Sequence, residues 1–83
     1  MEIDAKTIKE IIKESGTRVD VEGLDTQIPL RDQNIDSLDL FNILLLIEEK
    51  FKLKIPDEDI YLLVDIENII KYLIAVQNNS KIG

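Results

Sequence analysis

The chain has 83 residues and contains neither cysteine nor histidine. Without cysteine it can form no disulfide and no thiolate metal site. Without histidine it lacks the commonest general base and the commonest metal ligand, and a Ser-His-Asp triad cannot be assembled. Aromatic residues are confined to Phe41, Phe51, Tyr61 and Tyr72. No apolar stretch approaches the roughly 20 residues that span a bilayer, the longest aliphatic run being Ile43 to Ile47. Residues 1–15 interleave Glu2, Asp4, Lys6, Lys9, Glu10, Lys13 and Glu14 with isoleucines, unlike a signal peptide, so the expectation is a soluble, cytoplasmic protein. Positive charge is in the minority, with 10 basic residues against 17 acidic and a net charge of −7. Such a surface repels nucleic acid and anionic membranes and attracts basic docking patches, although acidity also serves plain solubility.

Hydrophobic residues make up 45% of the sequence, mostly isoleucine, leucine and valine. A chain of this size buries only about 60–65% of the surface that its unfolded form exposes, so stability must come from one compact aliphatic core. Composition and length together predict a single domain over residues 1–83.

Ile3, Ile8, Ile11 and Ile12 share a helical face, with Asp4 as N-cap and Gly16 as the left-handed stop, which predicts a helix over residues 5–15. Residues 17–35 carry Gly23 and Pro29 without helical periodicity. Val19, Val21, Leu24, Ile28 and Leu30 are expected to pin this long connection to the core. The strongest helix runs from Ser37 to Phe51, and its apolar block at Ile43 to Ile47 is expected to meet something besides its own core. Pro56 opens a short helix of one or two turns, with Asp57, Glu58 and Asp59 first and Ile60, Leu62, Leu63 and Val64 behind. Asp65 caps a last helix over residues 66–76, with Ile66, Ile69, Ile70, Leu73 and Ile74 inward, and residues 77–83 are expected to be disordered. Asp57-Glu58-Asp59 is not a calcium loop, since Leu62 and Asn68 stand where glycine and glutamate are required.

Asp36-Ser37-Leu38-Asp39, at the mouth of the strongest helix, carries most of the information about function. A serine there can be a nucleophile, for which no base exists; a plain N-cap; or the acceptor of a phosphoryl-linked group, which a helix N-terminus favours. On these four residues alone, the plain cap is the commoner role.

The surroundings change that balance. Pro29-Leu30 is followed by Asn34-Ile35-Asp36-Ser37-Leu38-Asp39, then Glu48-Glu49, Phe51 and Ile55-Pro56-Asp57-Glu58-Asp59. Over residues 28–76 the chain resembles the acyl carrier protein family. The resemblance implies an all-α fold, a small four-helix bundle of three main helices and one short helix with a long first loop. It implies no catalysis. Ser37 would take 4′-phosphopantetheine from coenzyme A through a phosphopantetheinyl transferase, and acyl cargo would ride on that arm as a thioester for fatty acid or related synthesis. The chain would act as a monomer. Asp36, Leu38, Asp39, Leu40, Leu45, Glu48 and Glu49 would face transferases and synthases bearing basic patches.

The chain departs from the family pattern in three ways. Asn34 replaces the usual glycine; Leu40, Asn42 and Leu46 make the second helix more apolar; and Lys50, Lys52 and Lys54 add positive charge before Pro56. The last two suggest a specialised carrier. Peptidyl and D-alanyl carriers, and a small acidic helical adaptor in which Ser37 is only a cap, are the alternatives.

Overall fold

The computed structural model describes residues 2–82, the side chains of 79–82 excepted. It consists of α1 (Ala5–Glu14), α2 (Ser37–Phe51) and α3 (Ile66–Ile82), with a short 3-10 helix at Asp57–Leu62 and no strand among the described residues. It is therefore the all-α bundle of three main helices and one short helix that the sequence implied.

Local chemistry sets each boundary. The Asp4 side chain accepts the Thr7 N–H at 2.8 Å and starts α1. That hydrogen bond, the largest influence on the group, holds the Asp4 carboxyl below its ordinary value. The helix ends at Glu14, and Gly16 takes φ +90° beyond it. The carboxylate of Asp65, 7% exposed, accepts the Asn68 N–H at 2.7 Å and so caps α3. α3 then continues to Ile82, past the end expected near residue 76. Neither glycine nor proline interrupts this stretch, so residues 77–82 are helical backbone rather than the disordered tail expected, and Gly83 lies outside the described residues.

The largest fully buried side chains are all isoleucine or leucine: Ile8, Ile11 and Ile12 from α1, Ile43 and Ile47 from α2, Ile66, Ile69 and Leu73 from α3, with Leu30, Ile35 and Leu63 from the connections. Each such side chain contributes about 1.5–3 kcal/mol relative to exposure. Ile74, expected inward, is 44% exposed, because it sits about 100° around the helix from Leu73.

The long first connection is ordered by two 3-10 turns, Val21–Gly23 and Leu30–Gln33. Val21, Leu24 and Leu30 are buried and Val19 half-buried, as expected, but Ile28 is 42% exposed. Leu30 fills the inward place there, and the Ile28 carbonyl accepts Gln33 Nε2 at 2.8 Å. Gln33 also accepts the Asp25 N–H at 2.7 Å and donates to the Asp25 carbonyl at 3.0 Å. Two backbone bonds join the loop to the start of α3: Leu30 N–H to the Val64 carbonyl at 2.8 Å, and Glu67 N–H to the Thr26 carbonyl at 2.9 Å.

Candidate functional site

The first connection delivers the chain to α2 through a fixed path. Leu30 is fully buried, and the Ile35 N–H closes onto the Leu30 carbonyl at 3.1 Å. That closure requires Asn34 at φ 69°, a left-handed conformation that asparagine tolerates better than other residues with a side chain. Asp36 then takes an extended conformation, and its Oδ1 accepts the Asp39 N–H at 2.8 Å. Asp36 is the N-cap, and Ser37 is the first helical residue.

This assignment removes the plain-cap role for Ser37. Its side chain is exposed, and its hydroxyl enters no hydrogen bond among the described residues. It stands at the positive end of a helix of 15 residues, where free N–H groups and the dipole favour an attached anion. Beside it lies a groove of about 210 Å³ whose walls include Arg31, Ile35, Asp36, Leu40, Tyr61 and Val64. An unengaged hydroxyl at the edge of a mostly apolar groove suits a flexible prosthetic arm.

The other sequence-derived positions divide between two faces. Leu38 is 69% exposed and Leu45 47%, and Phe41, 51% exposed, lies between them. With exposed Asn42 and Glu49 they form one outward stripe, spaced three and four residues apart. Phe41 was not among the positions expected to face partners, yet its spacing from Leu38 and Leu45 carried the signal. Asp36 is exposed and Asp39 half-buried. Leu40, expected outward, is half-buried against the core and lines the groove beside Ser37, while Leu46 is half-buried on the opposite flank. Glu48 also departs from expectation. It is half-buried, and its Oε2 accepts the Ile55 N–H at 2.6 Å. The bend after α2 leaves that N–H without a backbone partner of its own, so the carboxylate next to it is drawn inward.

A second cavity, of about 380 Å³, opens between α2 and the 3-10 helix. Its walls include Phe41, Leu44, Leu45, Ile55, Pro56 and Ile60, and Glu48, Lys54 and Asp57 also border it. The 3-10 helix is tied to α3 by Tyr72, whose hydroxyl donates to Asp59 Oδ2 at 2.8 Å. Burial first, then the Asp59 carboxylate, push the Tyr72 hydroxyl up to about 12. At the far end of α2, Lys50 Nζ lies 2.9 Å from Glu14, which raises the lysine above its ordinary value. Lys52 ends the helix at φ 55°.

The family described as phosphopantetheine attachment site matches residues 5–73. The chain is similar to the acyl carrier protein of Campylobacter lari, at 33% identity over 69 residues that cover 83% of this chain and 88% of the relative. It is similar to the acyl carrier protein of Campylobacter hominis at 27% identity over 80 residues, which cover 96% of this chain and all of the relative. The acyl carrier protein homolog of Mycoplasma genitalium is 32% identical over 71 residues, 86% of this chain and 81% of its own. No solved structure matches the chain. No helix among the described residues is long and apolar enough to cross a membrane.

Proposed function

Because the chain belongs to the acyl carrier protein family, whose domain is a phosphopantetheine attachment site, we propose that Ser37 is the attachment residue and that the protein carries acyl intermediates for fatty acid or related synthesis. The observation that carries this reading is the division of labour at the mouth of α2. Asp36 does the capping, which leaves the Ser37 hydroxyl exposed and unengaged beside a groove. When bound, the group supplies the thiol that this chain lacks, and cargo is held on it as a thioester.

The chain's own residues present, shield and dock. The first turn of α2 offers the hydroxyl with the positive end of the helix dipole behind it. Asp36, Asp39 and Glu49 give partners with basic patches a charged target, and Leu38, Phe41 and Leu45 give them apolar contact. Charge of this kind speeds encounter without making the complex tight, which suits a monomeric cytoplasmic shuttle that must leave each enzyme. The inward turn of Glu48 and the exposed apolar surface at Phe41 and Leu45 support a carrier whose docking relies on apolar contact as much as on charge.

Intact mass after incubation with coenzyme A and a broad-specificity phosphopantetheinyl transferase tests the assignment. The wild-type chain should gain one phosphopantetheine, and Ser37→Ala should gain none. Loading of Ser37→Ala would move the site elsewhere, and an unmodified wild-type chain would favour a helical adaptor that docks through α2.

A further inference from the structure

Loading of Ser37 would place a phosphodiester, ionised at every physiological pH, beside the carboxylates of Asp36 and Asp39 in a chain whose net charge is already −7. We infer that Arg31 holds that phosphodiester, an inference that rests on the assignment of Ser37 above. Arg31 and Ser37 form walls of the same groove of about 210 Å³, and Arg31 is the basic residue among its walls. Its guanidinium makes no ion pair among the described residues, whereas Lys50 is engaged with Glu14 and Lys71 with Glu67.

The backbone beneath Arg31 is fixed. Arg31 lies in the turn Leu30–Gln33, whose first residue is fully buried and whose Leu30 N–H is held by the Val64 carbonyl at 2.8 Å. The Leu30 carbonyl in turn accepts the Ile35 N–H at 3.1 Å, two residues before the serine. Arg31 therefore reaches the groove from a platform locked to the mouth of α2. The guanidinium never loses its charge, and its planar fork matches two phosphate oxygens at once. The helix N-terminus and the Arg31 guanidinium would both offer the phosphodiester positive charge. Leu40, Tyr61 and Val64 leave an apolar floor for the rest of the arm. Arg31 is thus a positioning residue for the arm and takes no part in transferring cargo.

The test compares wild type, Arg31→Gln and Arg31→Lys, each loaded from a coenzyme A analogue with a fluorophore on its thiol. Intact mass, with Ser37→Ala as the control that should gain nothing, first establishes whether Ser37 has been modified, and failure there overturns the assignment of Ser37 and this inference with it. In loaded protein, the Arg31 side-chain Nε–H resonance should move downfield relative to the unloaded chain, and high salt should reverse the shift. The fluorophore should tumble more freely on Arg31→Gln than on wild type, with Arg31→Lys between them, because lysine keeps the charge but loses the fork. An Arg31 resonance unmoved by confirmed loading, with equal anisotropy in all three proteins, would overturn the role of Arg31 and leave that of Ser37 standing.

Discussion

At the mouth of α2 two adjacent side chains are both good N-caps by type, and the backbone uses only one of them. Asp36 is extended and accepts the Asp39 N–H, while Ser37 is already helical and exposed. Asp36→Ala should therefore lose about 0.5–2 kcal/mol of stability. Ser37→Ala should stay within about 0.5 kcal/mol of wild type, as exposed substitutions do. Urea unfolding curves of equal slope check both, and a large loss for Ser37→Ala would mean that its hydroxyl has a structural partner. Sequence could not choose between the two, because preference by residue type is nearly equal and only φ and ψ decide. Other single positions were legible. Asp4 and Asp65 cap as expected, and Gly16 and Asn34 take the left-handed conformation that their types permit. Lys52 was not legible. Nothing about lysine favours φ 55°, which follows from α2 having to turn back so that the Leu53 N–H reaches the Glu48 carbonyl at 3.1 Å.

Within α2, neighbouring leucine and isoleucine side chains have opposite fates. Leu45, 47% exposed, should tolerate alanine with a loss of no more than about 0.5 kcal/mol. Ile47, fully buried, should lose about 2–5 kcal/mol on the same change, because a cavity is left behind. Thermal or urea unfolding of the two variants separates them directly, and similar losses would show that the outward stripe is not outward. The 3-10 helix gives a second prediction. Folding raises the Tyr72 hydroxyl from 10.0 to about 12, so the folded state keeps a proton that the unfolded chain gives up. The associated stability is complete below the lower value and disappears as pH climbs through the upper one. Tyr72→Phe should lose about 1 kcal/mol at neutral pH, where a hydrogen bond is removed. It should also flatten the fall in stability between pH 10 and 12, measured by urea midpoints, and an unchanged alkaline profile would remove the Asp59 tie from the account. At this scale the bounds of α2 were readable because caps and periodicity agree, whereas the end of α3 was not. The residues after Val76 are mostly polar and carry no helical apolar periodicity, yet none of residues 77–82 is a glycine or proline that would stop a helix already running. The inward course of Glu48 was hidden for another reason: it depends on where a bend leaves the Ile55 N–H, which no local pattern records.

Over the whole molecule, a net charge of −7 on 83 residues opposes compactness. Raising ionic strength shortens the reach of that repulsion from about 30 Å to about 8–10 Å. The thermal midpoint should accordingly rise as salt is added to a dilute buffer, and the rise should be larger for the loaded chain, which carries one more negative charge. A flat dependence would mean that like charges lie too far apart to matter. The order in which a ribosome makes the chain adds one more consequence. Ser37 and all of α2 are polymerised before Val64 and Glu67 exist, yet the turn ahead of the serine hangs from the first and the loop above it is held by the second. A nascent chain thus shows the serine early as a stretch of peptide and late as a shaped platform. Were Ser37 loaded by an enzyme that recognised the platform, that enzyme would be kept waiting until α3 had begun to emerge, and half-made chains would be spared an attachment that they could not use.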